Sequence, residues 1–169
     1  MIKQKKGFTL VELIVTIVLV GIIGTFTTLF MYTGLNGYLR AKDNTEGALK
    51  AQIALDRISL ELREINAISA FTPSPPNPFP SIEYTSNTLS ATRRIRFDGA
   101  DEIFLKVGGN ENLLLDNVQS FTMTAAYKDL NFYADGNNEV EAIDVSFTIG
   151  DIGRQFSARI FPRNMVAEP

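Results

Sequence analysis

A single apolar run, Phe8 to Tyr32, constrains this chain more than any other feature. Its only charged side chain is Glu12, and about 20 apolar residues suffice to carry a helix across the hydrocarbon core of a bilayer. The run therefore predicts a membrane-spanning helix over residues 8–32. Lys3, Lys5 and Lys6 lie on its N-terminal side, whereas the first cations beyond it are Arg40 and Lys42. Cationic flanks stay in the cytoplasm, so the N-terminus is expected there and everything after about residue 32 outside. A secretory signal places its small-residue cleavage site after the apolar stretch. Here Gly7 stands before it, and cutting after Gly7 would leave the apolar helix on the mature chain.

Composition narrows the chemistry. The chain of 169 residues contains no cysteine and no histidine, which excludes thiolate nucleophiles, cysteine- or histidine-ligated metals and Ser-His-Asp hydrolysis. A net charge of -3 gives no reason to expect a nucleic-acid partner. One membrane helix and one small domain account for the length. An enzyme on a plain signal anchor would have to rely on carboxylates such as Asp98, Asp101 and Glu102, and their Asp-Gly-Ala-Asp-Glu setting reads as a turn. No catalysis and no cofactor is expected.

Beyond the membrane run, Ala48, Ala51, Leu55, Ile58, Leu62 and Ile65 recur at spacings of three and four, the apolar face of an amphipathic helix. Lys50, Asp56, Arg57, Glu61, Arg63 and Glu64 fill the other positions and read as its solvated side, with Arg57 and Glu61 neighbours there. The helix is expected to continue over residues 33–70, with a hinge at Gly34 and Gly37. Five of the seven prolines fall between Phe71 and Pro80, which predicts a stiff connector over 71–80. After it come short β-rich runs broken by Asp98-Gly99, Gly108-Gly109, Asp135-Gly136 and Gly150-Asp151, which predict an antiparallel sheet over 81–169. Clean alternation from Ile143 to Ile149 places Ile143, Val145, Phe147 and Ile149 toward the helix.

Two smaller groupings carry less. Asp135 to Glu141 offers oxygen ligands on a turn without the spacing of a defined calcium loop, so no metal is assigned. Arg93, Arg94 and Arg96 form a basic patch that reads as a solvated strand edge.

The basic leader, Gly7 before Phe8, the run Phe8-Thr9-Leu10-Val11-Glu12-Leu13 and the uncharged span after it resemble the prepilin N-terminus of type IV pilins and type II secretion pseudopilins. That resemblance implies an α+β, pilin-like fold, with a long N-terminal helix packed on an antiparallel sheet. It implies a leader over residues 1–7, cleavage between Gly7 and Phe8 by a prepilin peptidase, N-methylation of Phe8, and a role for Glu12, fifth from Phe8, in subunit assembly. The implied partners are that peptidase, other pilin-like subunits and an assembly platform of the inner membrane. The segments Ala54 to Arg63 and Phe156 to Asn164 are similar to minor pseudopilins of the J type and related minor pilins. The expected function is a structural subunit of a type II secretion pseudopilus, with a type IV minor pilin (assembly, adhesion, DNA uptake) as the alternative. The reading from another class is a signal-anchored periplasmic binding domain.

Overall fold

A computed structural model of the chain describes residues 7–72, 80–89, 91–130, 138–164 and 166–167, without the side chain of Thr72. The leader lysines, the prolines from Pro73 to Pro78 and the Asp135 turn lie outside the described residues. Two compact units make up the chain, Met1–Asp43 and Asn44–Pro169. Helix α1 (Leu10–Arg63) contributes to both. It passes through Gly34 and Gly37 without a break, so the helix is not interrupted at the expected hinge. A helical glycine costs only about 1 kcal/mol relative to alanine, and a long helix absorbs two.

In the second unit the chain forms two antiparallel meanders. Strands β1 (Ile65–Thr72), β2 (Ser81–Ser86), β3 (Arg93–Phe97), β4 (Ile103–Val107) and β5 (Asn110–Leu115) pair in sequence order. Strands β6 (Val118–Lys128), β7 (Glu139–Ile149) and β8 (Arg154–Ile160) form a separate three-stranded sheet in the order β6-β7-β8. This is the α+β arrangement of a long N-terminal helix followed by antiparallel sheet. A single apolar cluster joins Ala51, Ala54, Leu55, Ile58 and Leu62 of α1 to buried residues of both sheets, among them Ile82, Ile95, Met123 and Phe147. Ile143, Val145, Phe147 and Ile149 are all buried, as their alternation predicts.

The end of α1 departs from expectation. Its amphipathic pattern predicts helix through residue 70, but the helix stops at Arg63 and residues 65–72 are strand β1. The sheet thus begins before the proline-rich stretch, and Phe71 and Thr72 of the expected connector close β1. Two register shifts on β1 explain the misreading. Each inserts an extra residue and reverses the side-chain parity of the strand, so the buried residues Ile65, Ile68 and Phe71 recur every third position and imitate a helical stripe. The helix end is closed by the chain terminus. The Arg163 N–H donates to the Arg63 carbonyl at 2.9 Å, and Asn164 Nδ2 donates to the Ile65 carbonyl at 2.7 Å. These satisfy acceptors near a helix end that would otherwise lack partners.

Arg93 and Glu61 also depart from expectation. Strand β3 is the centre of its sheet and not an edge, and Arg93 and Ile95 point to the core while Arg94 and Arg96 point outward. Glu61, expected on the solvated side of α1, is 1% exposed. It accepts two hydrogen bonds from Arg93, Nε to Oε2 and Nη2 to Oε1, both at 2.6 Å. A third comes from the Tyr84 hydroxyl at 2.9 Å, and the half-exposed Arg57 adds an ion pair at 2.6 Å. Burial, with the Glu61 carboxylate beside it, pushes the Tyr84 phenol above its ordinary range. On the outer face Arg94 pairs with Glu83, and Arg96 pairs with Glu111 at 3.2 Å while lying 5.0 Å above the Phe104 ring.

Candidate functional site

The N-terminal segment holds the candidate site. Phe8 is 78% exposed, and α1 begins two residues later at Leu10. Thr9 occupies the position that caps the helix. Its hydroxyl oxygen accepts from the Glu12 N–H at 3.3 Å, and its carbonyl accepts from the Leu13 N–H at 3.2 Å. Thr9-x-x-Glu12 is therefore a capping-box spacing, with Phe8 and Leu13 at the positions of a hydrophobic staple. The role of Thr9 was missed in the sequence reading, although a threonine three residues before a glutamate at the head of an apolar run is the signal that finds it.

The backbone of Glu12 is thus engaged in its own chain, while its carboxylate is exposed and has no bonding partner among the described residues. It lies in the first turn, where the helix dipole favours an anion. Gly7 is exposed, with no atom within 4 Å of where a Cβ would stand. The site residues Gly7, Phe8 and Glu12 therefore lie together on one open stretch at the head of the helix.

The rest of the apolar run is built for a solvent without hydrogen bonds. Thr16 donates its hydroxyl to the Leu13 carbonyl at 2.8 Å. Thr25, Thr27, Thr28 and Thr33 each donate to the carbonyl four residues earlier, at 2.8–2.9 Å. Such back-bonding satisfies hydroxyls that lipid cannot. Among the described residues α1 is the one helix long and apolar enough to cross a membrane.

Of the alternative carboxylates, Asp98 is committed to a turn. Asp98 Oδ1 accepts the N–H groups of Ala100 and Glu102 at 2.9 and 3.1 Å, which tie off the turn that Gly99 opens at φ 89°. Those backbone bonds, Ala100 first, hold the Asp98 carboxyl below its usual range. Among the described residues no group of three or more acidic side chains is placed to hold a metal.

The sequence signature described as the prokaryotic N-terminal methylation motif matches residues 2–28. No curated protein and no solved structure matches the chain. The motif covers Gly7, Phe8 and Glu12 and implies processing by a prepilin peptidase and assembly with other pilins. With that motif at its head, an apolar helix and an α+β fold behind it, the chain is similar at its N-terminus to type IV pilins and pseudopilins.

Proposed function

We propose that this chain is a minor pseudopilin of the J type, a non-catalytic structural subunit of a type II secretion pseudopilus. A prepilin peptidase cuts it after Gly7 and methylates the new amine on Phe8. The anchor lies in the inner membrane with the leader in the cytoplasm, and the Asn44–Pro169 unit is periplasmic. The observation that carries this reading is the Glu12 carboxylate within an apolar helix, without a bonding partner among the described residues. A carboxylate in a membrane helix costs roughly 2.5–3.5 kcal/mol on insertion scales and is retained for a partner. Cleavage supplies one, because the freed Phe8 amine of a neighbouring subunit can neutralise Glu12 and set the axial register of two helices. The exposure of Gly7 and Phe8 suits entry into a peptidase site.

Support for the J type comes from Ala54 to Arg63 and Phe156 to Asn164. These are the two segments that resemble it, and they meet through Arg163 at the end of α1. The same N-terminal chemistry serves a type IV minor pilin. Deletion separates the two: loss of protein secretion with motility and DNA uptake intact supports the pseudopilus, and the opposite pattern supports the pilus.

Glu12→Gln tests the assembly role. Cleavage and Phe8 methylation should persist while co-purification with other pilin-like subunits is lost. A Glu12→Gln chain that co-assembles normally, or function retained when an unrelated membrane helix replaces residues 8–32, would favour a tethered binding domain instead.

A further inference from the structure

Where β3 begins and β4 ends, the five-stranded sheet holds a concavity of about 330 Å³, lined by Glu83, Thr92, Arg93, Arg94, Lys106 and Gly108. Strand register sets its charges. On the outer face Arg94 stands directly opposite Lys106 of β4 on one side and Glu83 of β2 on the other. Like charges directly opposite one another weaken a strand pair. Glu111 stands opposite Lys106 on β5, but its carboxylate goes to Arg96 at 3.2 Å. The half-buried Lys106 is thus left beside another cation, with no ion pair among the described residues.

The backbone at the same spot carries a second local cost. Ala91, immediately before Thr92, holds φ 69°, a left-handed conformation that residues with a Cβ seldom adopt. Facing it, Gly108 sits at φ 59°, and its N–H donates to the Thr92 carbonyl at 2.9 Å. That bond holds Thr92 at the rim, where its hydroxyl makes no hydrogen bond among the described residues. Strained backbone of this kind collects where a ligand is held.

We propose that this concavity binds a single carboxylate group, held by the Lys106 ammonium and the Thr92 hydroxyl with the Arg94 guanidinium beside them. The charge count selects the ligand. Arg93 is cancelled by the buried Glu61 and Arg94 by Glu83, so Lys106 leaves the site one positive charge. One carboxylate balances it, and a charge-assisted hydrogen bond to Lys106 is stronger than a neutral one. A bound carboxylate also relieves the repulsion between Arg94 and Lys106 that the empty sheet bears. Glu83 is the site's internal competitor, because it already occupies part of the Arg94 guanidinium. The site stands apart from the N-terminal motif and does not depend on the chain's being cleaved or assembled.

The test is a titration of the full-length, nitrogen-15-labelled chain in non-ionic detergent micelles, followed by NMR. Sodium acetate replaces sodium chloride at fixed ionic strength and pH. Saturable shifts of the Thr92 and Gly108 amides are expected. Lys106→Gln should weaken acetate binding roughly tenfold, and Thr92→Val should weaken it less. Glu83→Gln should tighten it severalfold, because Arg94 is then free to share the ligand. Lys106→Gln should melt no lower than the wild-type chain, since it removes one of two opposed cations, so its loss of binding is not a loss of fold. A blocked glutamyl tripeptide titrated in parallel separates the sources of the group: binding equal to acetate points to a free organic acid, and tighter binding to an acidic side chain of a partner. Shifts that do not saturate, binding unchanged by Lys106→Gln, or binding weakened by Glu83→Gln would overturn the proposal.

Discussion

Removing the Glu61 carboxylate would leave the Arg93 guanidinium buried and charged with no counter-ion, and the Tyr84 hydroxyl without its acceptor. Breaking a buried pair in this way costs about 3–5 kcal/mol, so Glu61→Ala should lower the denaturant midpoint by a large fraction of the domain's stability. Arg57→Ala, at a half-exposed partner, should cost less than about 1 kcal/mol. Tyr84 makes a separate prediction. Its folded pKa is raised, so its contribution is complete below the ordinary phenol value near 10 and is lost as pH rises above it. Tyr84→Phe should therefore flatten the fall in stability above about pH 10, and the wild-type chain should show one more late-titrating phenol than the variant. This cluster was within reach of the sequence. At 100° per residue Glu61 stands only 60° from Ile58 and so inside the buried sector, but a charge between two arginines reads as solvated until its partner on β3 is known.

At the scale of elements, bulges decide what the sequence hides. Alternation in β7 is legible from Ile143 to Ile149 because that stretch pairs with β8 without a register shift. Near Val140 the register shifts opposite Ala126 and Tyr127, which lets Val140 share the buried face three residues from Ile143. The same device on β1 turned a strand into an apparent helix. No local residue type marks these bulges, because they follow from the partner strand. The turn after β7 is more readable. A Cβ on Gly150 would stand 2.7 Å from Asn117 Oδ1, and the Gly150 N–H donates to the Asn117 carbonyl at 2.8 Å. Gly150→Ala should cost about 1 kcal/mol, the low end for overpacking, because the Asn117 side chain can swing aside. Asn117→Gly should relieve most of that cost, since Asn117 already sits at φ 58° and glycine adopts that conformation freely. Thermal melts of the two single variants and the double variant measure the coupling.

At the scale of the whole molecule, the chain separates what is specified locally from what is specified by packing. The apolar helix and the antiparallel class were readable, because each rests on short stretches of sequence and on the solvent around them. The division into two sheets and the closing of α1 by Arg163 and Asn164 join residues far apart in the chain and were not. The central claim, that this is a processed filament subunit, depends on chemistry at one bond. Intact mass of the chain from membranes of cells with and without a prepilin peptidase tests it. A mature chain beginning at N-methylated Phe8, seen only when the peptidase is present, is the result expected; a full-length chain retaining Lys3 to Gly7 in both would contradict the account.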